Sequence, residues 1–121
     1  MNGLGASDDY SSRDIAISVA KRLIGEGAQE LVVIDVADIV DYADVFIISH
    51  GLSPPHIKNL CEITRKECRE LDVRLRHVEG TESRRWIIMD LGEVIVHLFS
   101  EEARTFYGLS RIWQDAPRLA L

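Results

Sequence analysis

The sequence predicts an α/β fold: a single mixed β-sheet of about five strands flanked by helices. Three observations lead there. Apolar residues recur at helical spacing in two long segments and as short β-rich runs in five others. The strands fall into two clusters split by a helix, a pattern that puts helices over one sheet. The chain has 121 residues, 46% hydrophobic and 28% charged, which is one ordinary domain with enough surface to bury a core. No repeat, linker or low-complexity segment interrupts it. The expected organisation is therefore a flexible lead-in at 1–10 and one domain over 11–121.

Each element has a local reason. Ser11-Ser12-Arg13-Asp14 reads as a helix start, with a hydroxyl cap and a carboxylate in the first turn. Ile15, Val19 and Leu23 form one row and Ala16, Ala20 and Ile24 the next, a single apolar stripe that Gly25 and Gly27 bring to an end. Leu31 to Ile34 and Val45 to Ile48 are runs typical of strands buried on both faces. The acidic stretch Asp35 to Asp44 bends or continues the first of them. Ser53-Pro54-Pro55 opens a second helix, with Ile57, Leu60, Cys61, Thr64, Cys68 and Leu71 on its inner face. In Val73 to Val78 the residues Val73, Leu75 and His77 alternate with Arg74, Arg76 and Val78, as on a half-buried strand. Trp86 to Met89 and Val94 to Phe99 are joined by Asp90-Leu91-Gly92-Glu93, a hairpin signal. Ser100-Glu101-Glu102 caps a last helix whose end is rich in aromatic and apolar residues: Phe106, Tyr107, Leu109, Ile112 and Trp113.

Charge and composition narrow the function. The formal net charge is −6, and the whole excess lies in residues 1–50, with nine acids against three bases. Such a balance disfavours a protein held on nucleic acid mainly by phosphate contacts, or on an anionic membrane. No stretch approaches the roughly 18 apolar residues of a membrane helix. Met1 to Asp9 lacks the basic and apolar regions of a secretory signal or a transit peptide. Cys61 and Cys68, roughly 10 Å apart along one helix, are better placed as two buried thiols than as a disulfide. The expected location is a reducing cytoplasm.

Catalytic and metal signals are weak. Ser49-His50-Gly51-Leu52-Ser53 lacks the second glycine of a nucleophile elbow, and capping accounts for Ser53. His50, His56, His77 and His97 show no metal-ligand spacing, although a loop allows His50 and His56 to approach. Gly51 before a helix suits an anion, but Pro54 and Pro55 remove two N–H donors. Asp90 and Glu93 are the only plausible acids for a nucleotide-binding or nucleotidyltransferase-type enzyme using two Mg²⁺ ions, and an acid beside a tight turn more often serves the turn. By alternation Trp86, Ile88 and Asp90 share one strand face and Ile87 and Met89 the other. A face bearing both a tryptophan and an acid is a candidate binding surface. The competing reading makes Trp86 a core residue with its N–H satisfied.

Three blocks carry a family resemblance. The first is Ala43 to Ser53 followed by His56. The second is Val78-Glu79-Gly80, then Trp86 to His97. The third is Glu102-Ala103-Arg104, Phe106-Tyr107, Leu109, Trp113 and Asp115-Ala116. Together, across about residues 12–115, they resemble the ribosomal silencing factors, also called Iojap-like proteins. The chain departs from the family pattern at Val45, Leu52 and Pro54-Pro55, while the second block is intact. The resemblance implies a fold related to the nucleotidyltransferase fold without its metal-binding acids. It implies a homodimer in isolation, no cofactor, and an activity other than catalysis. Such factors bind protein fourteen of the large ribosomal subunit, block joining with the small subunit and lower translation when nutrients are scarce; organelle members are linked to large-subunit assembly. An acidic adaptor with an apolar anchor suits a basic ribosomal protein. Trp86 is the expected anchor, with Glu79 and Asp90 as acidic neighbours and Ile88 widening the patch. Tyr107 and Trp113 either pack the last helix on the sheet or form the dimer contact.

Overall fold

The computed structural model of the chain describes residues 10–108 and 113–121. Its elements are α1 (Ser12–Gly25), β1 (Gln29–Asp35), β2 (Val45–Gly51), α2 (Pro54–Leu71), β3 (His77–Glu79), β4 (Trp86–Asp90), β5 (Val94–Ser100) and α3 (Glu101–Tyr107). This is the predicted order. The five strands form one sheet in the order β1-β2-β5-β4-β3. Only β2 and β5 run parallel, so the sheet is mixed. The helices divide between its two faces.

α1 begins with a capping box: the Ser11 hydroxyl accepts the Asp14 N–H, and the Asp14 carboxylate accepts the Ser11 N–H. It ends where Gly27, at φ 86°, turns the chain so that Gly27 and Ala28 N–H groups reach the Ile24 and Leu23 carbonyls. α1 and α2 pack together over β2 and β5, enclosing Val19, Leu23, Ile57, Leu60, Ile47, Ile87 and Leu98. A buried Glu67 on α2 bridges the helices by accepting from Arg22 Nη1 at 2.7 Å and from the Ser18 hydroxyl. Cys61 and Cys68 are free and buried, and burial pushes the Cys68 thiol up to about 11.

The other face carries a smaller cluster. Phe46, Ile48, Ile95 and Phe99 of the sheet meet Ala103 of α3, Val36 and Ala43 of the β1–β2 link, and Ala116. The outer edge of β1 is covered by the chain end. Asp35 N–H donates to the Pro117 carbonyl at 2.7 Å and Leu119 N–H to the Val33 carbonyl at 2.8 Å. Asp35 to Asp44 bends: Val36 and Asp44 hydrogen-bond across a tight reversal.

Three local expectations are corrected. β1 is fully buried on both faces only at Val33 and Ile34, which enter the clusters on opposite sides of the sheet; Leu31 and Val32 are half-buried, and a bulge with Glu30 at φ 44° interrupts the pairing. Ile24, placed on the apolar stripe of α1, is 47% exposed because the stripe ends one residue earlier, at Leu23. Pairing at Val73 to Val78 is confined to His77–Glu79. The Val73 N–H instead closes the end of α2 on the Cys68 carbonyl, and Arg76 N–H bonds the Asp90 carbonyl. The alternation thereby slips: Val78 packs inward and His77 is exposed. The Leu109 and Ile112 part of the aromatic-rich end, and residues 1–9 of the expected lead-in, lie outside the described residues.

Candidate functional site

The face opposite α1 and α2 is built by register. Pairing places Glu79 beside Ile88, Ile88 beside His97, Trp86 beside Phe99 and Asp90 beside both His77 and Ile95. Directly paired residues project to the same side. Trp86, Ile88, Asp90 and Glu79 therefore share one face, while Ile87 and Met89 are buried beneath the helices.

Trp86 is half-buried and held on three sides. Its ring stacks on Phe99 with centroids 5.0 Å apart and lies 4.8 Å from Tyr107. Its Nε1–H donates to His97 Nδ1 at 3.2 Å. Both readings of Trp86 thus meet in one residue: the indole N–H is satisfied and part of the ring faces outward. His97 is 6% exposed, and burial pulls its pKa down to about 4, so the ring is neutral at pH 7. With Nδ1 accepting, the single proton sits on Nε2, which is buried without a partner among the described residues. The aromatic row continues outward to Phe106, 5.1 Å from Tyr107; these two are 74% and 43% exposed. In the other direction it runs from His97 to Phe46 and on to Trp113, which crosses Phe46 edge-on at 5.6 Å.

The acids around Trp86 differ. Glu79 is exposed at the sheet edge, its Oε1 3.0 Å from His77 Nε2. Asp90 spends Oδ1 on the Gly92 N–H at 2.7 Å, holding the hairpin turn. Glu93 is exposed, and its carbonyl accepts from the Asp44 and Val45 N–H groups. Among the described residues no group of three or more His, Cys, Asp or Glu is disposed to hold a metal ion.

The other sequence candidates have structural tasks. Ser49 donates to the Gln29 carbonyl at 2.8 Å, and Ser53 caps α2 by accepting the His56 N–H. His50 Nδ1 lies 3.0 Å from Arg104 Nη1; burial first, then the Arg104 charge, lowers its pKa. His56 joins two loops, accepting the Leu52 N–H on Nδ1 and bonding the Glu26 carbonyl through Nε2. A Cβ at Gly51 would lie 2.7 Å from the Ile57 side chain, so the residue is small to let α2 close on the sheet. Among the described residues no helix is long and apolar enough to cross a membrane.

The role of His97 beneath Trp86 is not evident from histidine spacing, which tests only for metal. The hairpin register carries the signal. Once Asp90 pairs with Ile95, Trp86 and His97 become diagonal neighbours on one face.

Comparison with known proteins agrees with this fold. A crystal structure from Bacillus halodurans superposes with a TM-score of 0.79 at 26% identity, covering 91% of this chain and all of that one. The ribosomal silencing factor RsfS of Halalkalibacterium halodurans is 34% identical over 94 residues, 78% of this chain and 80% of that protein. The mouse protein named for mitochondrial assembly of the ribosomal large subunit is 28% identical over 113 residues, 91% of this chain but 47% of its own length. Residues 9–121 match the family described as ribosomal silencing factor during starvation, a name that marks a regulator rather than an enzyme. With that match spanning nearly the whole length, the chain belongs to the ribosomal silencing factor family.

Proposed function

We propose that this protein docks on the large ribosomal subunit through its protein fourteen, blocks joining with the small subunit and so represses translation when nutrients are scarce. The observation that carries this reading is the Trp86 face. A half-buried indole, fixed by Phe99, Tyr107 and His97, presents a rigid anchor beside Ile88, with Glu79 and Asp90 on the same side. Anchors held before binding lose little conformational freedom on docking. Carboxylates near the anchor suit a basic partner, and the net charge of −6 repels bare RNA while permitting contact with basic protein. The family name and the mouse relative's name are both ribosomal. The same reading makes the free protein a cytoplasmic homodimer, with Tyr107 and Trp113 as its candidate contact.

Light scattering of purified ribosomal subunits tests the reading. Added protein is expected to suppress the joined-ribosome signal and to co-sediment with the large subunit alone. Undiminished joining at saturating protein, or pelleting with the small subunit, contradicts it.

A further inference from the structure

On the helix side of β4, away from Trp86, a pocket of 190 Å³ opens between α2 and the β3–β4 loop. Ile87 and Cys61 line its apolar part. Lys58, Glu62 and Arg65 complete the α2 wall, because 58, 61, 62 and 65 fall at i, i+3, i+4 and i+7 on one helix face. Thr81 and Arg84 close it from the loop.

The charge is unusual for this chain. Three cations face one carboxylate, in a protein whose formal net charge is −6. Arg65 Nε is 3.6 Å from Glu62 Oε2, so that pair is neutral together. Lys58 and Arg84 have no ion-pair partner among the described residues. Burial pushes the Cys61 thiol up, so it adds no negative charge. Arg84 sits at φ 54°, a region that long side chains avoid, with its N–H on the Gly80 carbonyl at 3.0 Å.

We propose that this pocket binds a small phosphorylated ligand through a phosphate dianion. The unbalanced charge of Lys58 and Arg84 matches that dianion. Arg84 offers a planar fork of donors, Lys58 a point charge and Thr81 a hydroxyl. A water claims about 30 Å³ of liquid, so the volume takes a phosphate and a small substituent. An RNA backbone needs a continuous basic track. Ile87, which lines the pocket, points away from the Trp86 face, so the proposal stands apart from the docking reading.

The test is a titration of the isotopically labelled protein with inorganic phosphate and then glycerol phosphate, followed by amide chemical shifts against chloride at equal ionic strength. Saturable shifts at Cys61, Thr81 and Arg84 are expected, with a dissociation constant on the order of 1 mM. Lys58→Gln combined with Arg84→Asn should weaken binding about tenfold without lowering the melting temperature, since asparagine tolerates the left-handed backbone. Lys58→Gln alone, at an exposed helix position, should weaken it about threefold. Linear, non-saturating shifts, or equal binding by these variants, overturn the proposal. So does displacement of phosphate by single-stranded RNA whose affinity grows with each nucleotide, which assigns the pocket to an RNA track.

Discussion

The Trp86 indole N–H donates to His97 Nδ1 at 3.2 Å, and this bond fixes the state of both rings. It selects the His97 tautomer with its proton on Nε2. It also holds the tryptophan against Phe99 and Tyr107, half in and half out of the sheet. A second proton on His97 has to go to Nδ1, where it meets the Trp86 N–H head-on.

The stability of the fold should therefore depend on His97. Its folded pKa, about 4, lies below the ordinary 6.5 because burial disfavours the charged ring. The unfolded chain takes up the proton first, so this contribution is complete above pH 6.5 and falls away as pH drops towards 4. The loss should reach about 2 kcal/mol by pH 5 and about 3 kcal/mol by pH 4. Urea unfolding of the wild type and of His97→Gln, which keeps an acceptor but does not titrate, checks it. The difference between their pH profiles is the expected signature.

Gly80 should be intolerant of a side chain. It sits at φ 86°, and a Cβ there would lie 2.0 Å from the Trp86 carbonyl oxygen. Gly80→Ala is expected to lower stability by about 2 kcal/mol or more and to disturb the start of β4. Gly25→Ala, at the end of α1 with nothing within 4 Å among the described residues, should instead stabilise by about 0.5 kcal/mol. Paired denaturant midpoints measure both.

Glu67 and Glu70 both meet Arg22 Nη1, at 2.7 and 3.2 Å, but their side chains are 8% and 51% exposed. Glu67→Ala leaves Ser18 and Arg22 without their buried acceptor and should cost about 2 kcal/mol. Glu70→Ala should change stability by less than about 0.5 kcal/mol, as exposed pairs do. Thermal unfolding of the two variants separates them.

The order of elements and the mixed sheet were legible because periodicity, caps and the hairpin all pointed to them. The Ser11 and Ser53 caps were readable from neighbouring residues alone. Glu67 was not, since a lone acid on an apolar helix face gives no hint of Arg22 and Ser18 on another helix. The slip between Leu75 and His77 was also hidden: it arises where the chain leaves α2 and Arg76 joins the Asp90 carbonyl. At the candidate site, alternation placed Trp86, Ile88 and Asp90 on one face. The support from Tyr107 depended on how α3 returns over the sheet, which no local pattern encodes.

The central claim is that the Trp86 face meets the large subunit, and affinity of variants for purified large subunits tests it most directly. Trp86→Ala should weaken binding by about 2 kcal/mol or more. Circular dichroism would establish that the variant is folded under the assay conditions. Glu79→Lys provides the second arm, because Glu79 is 60% exposed and its reversal leaves the core untouched. It should weaken binding several-fold at low salt and less at high salt. Wild-type affinity in both folded variants would contradict the account.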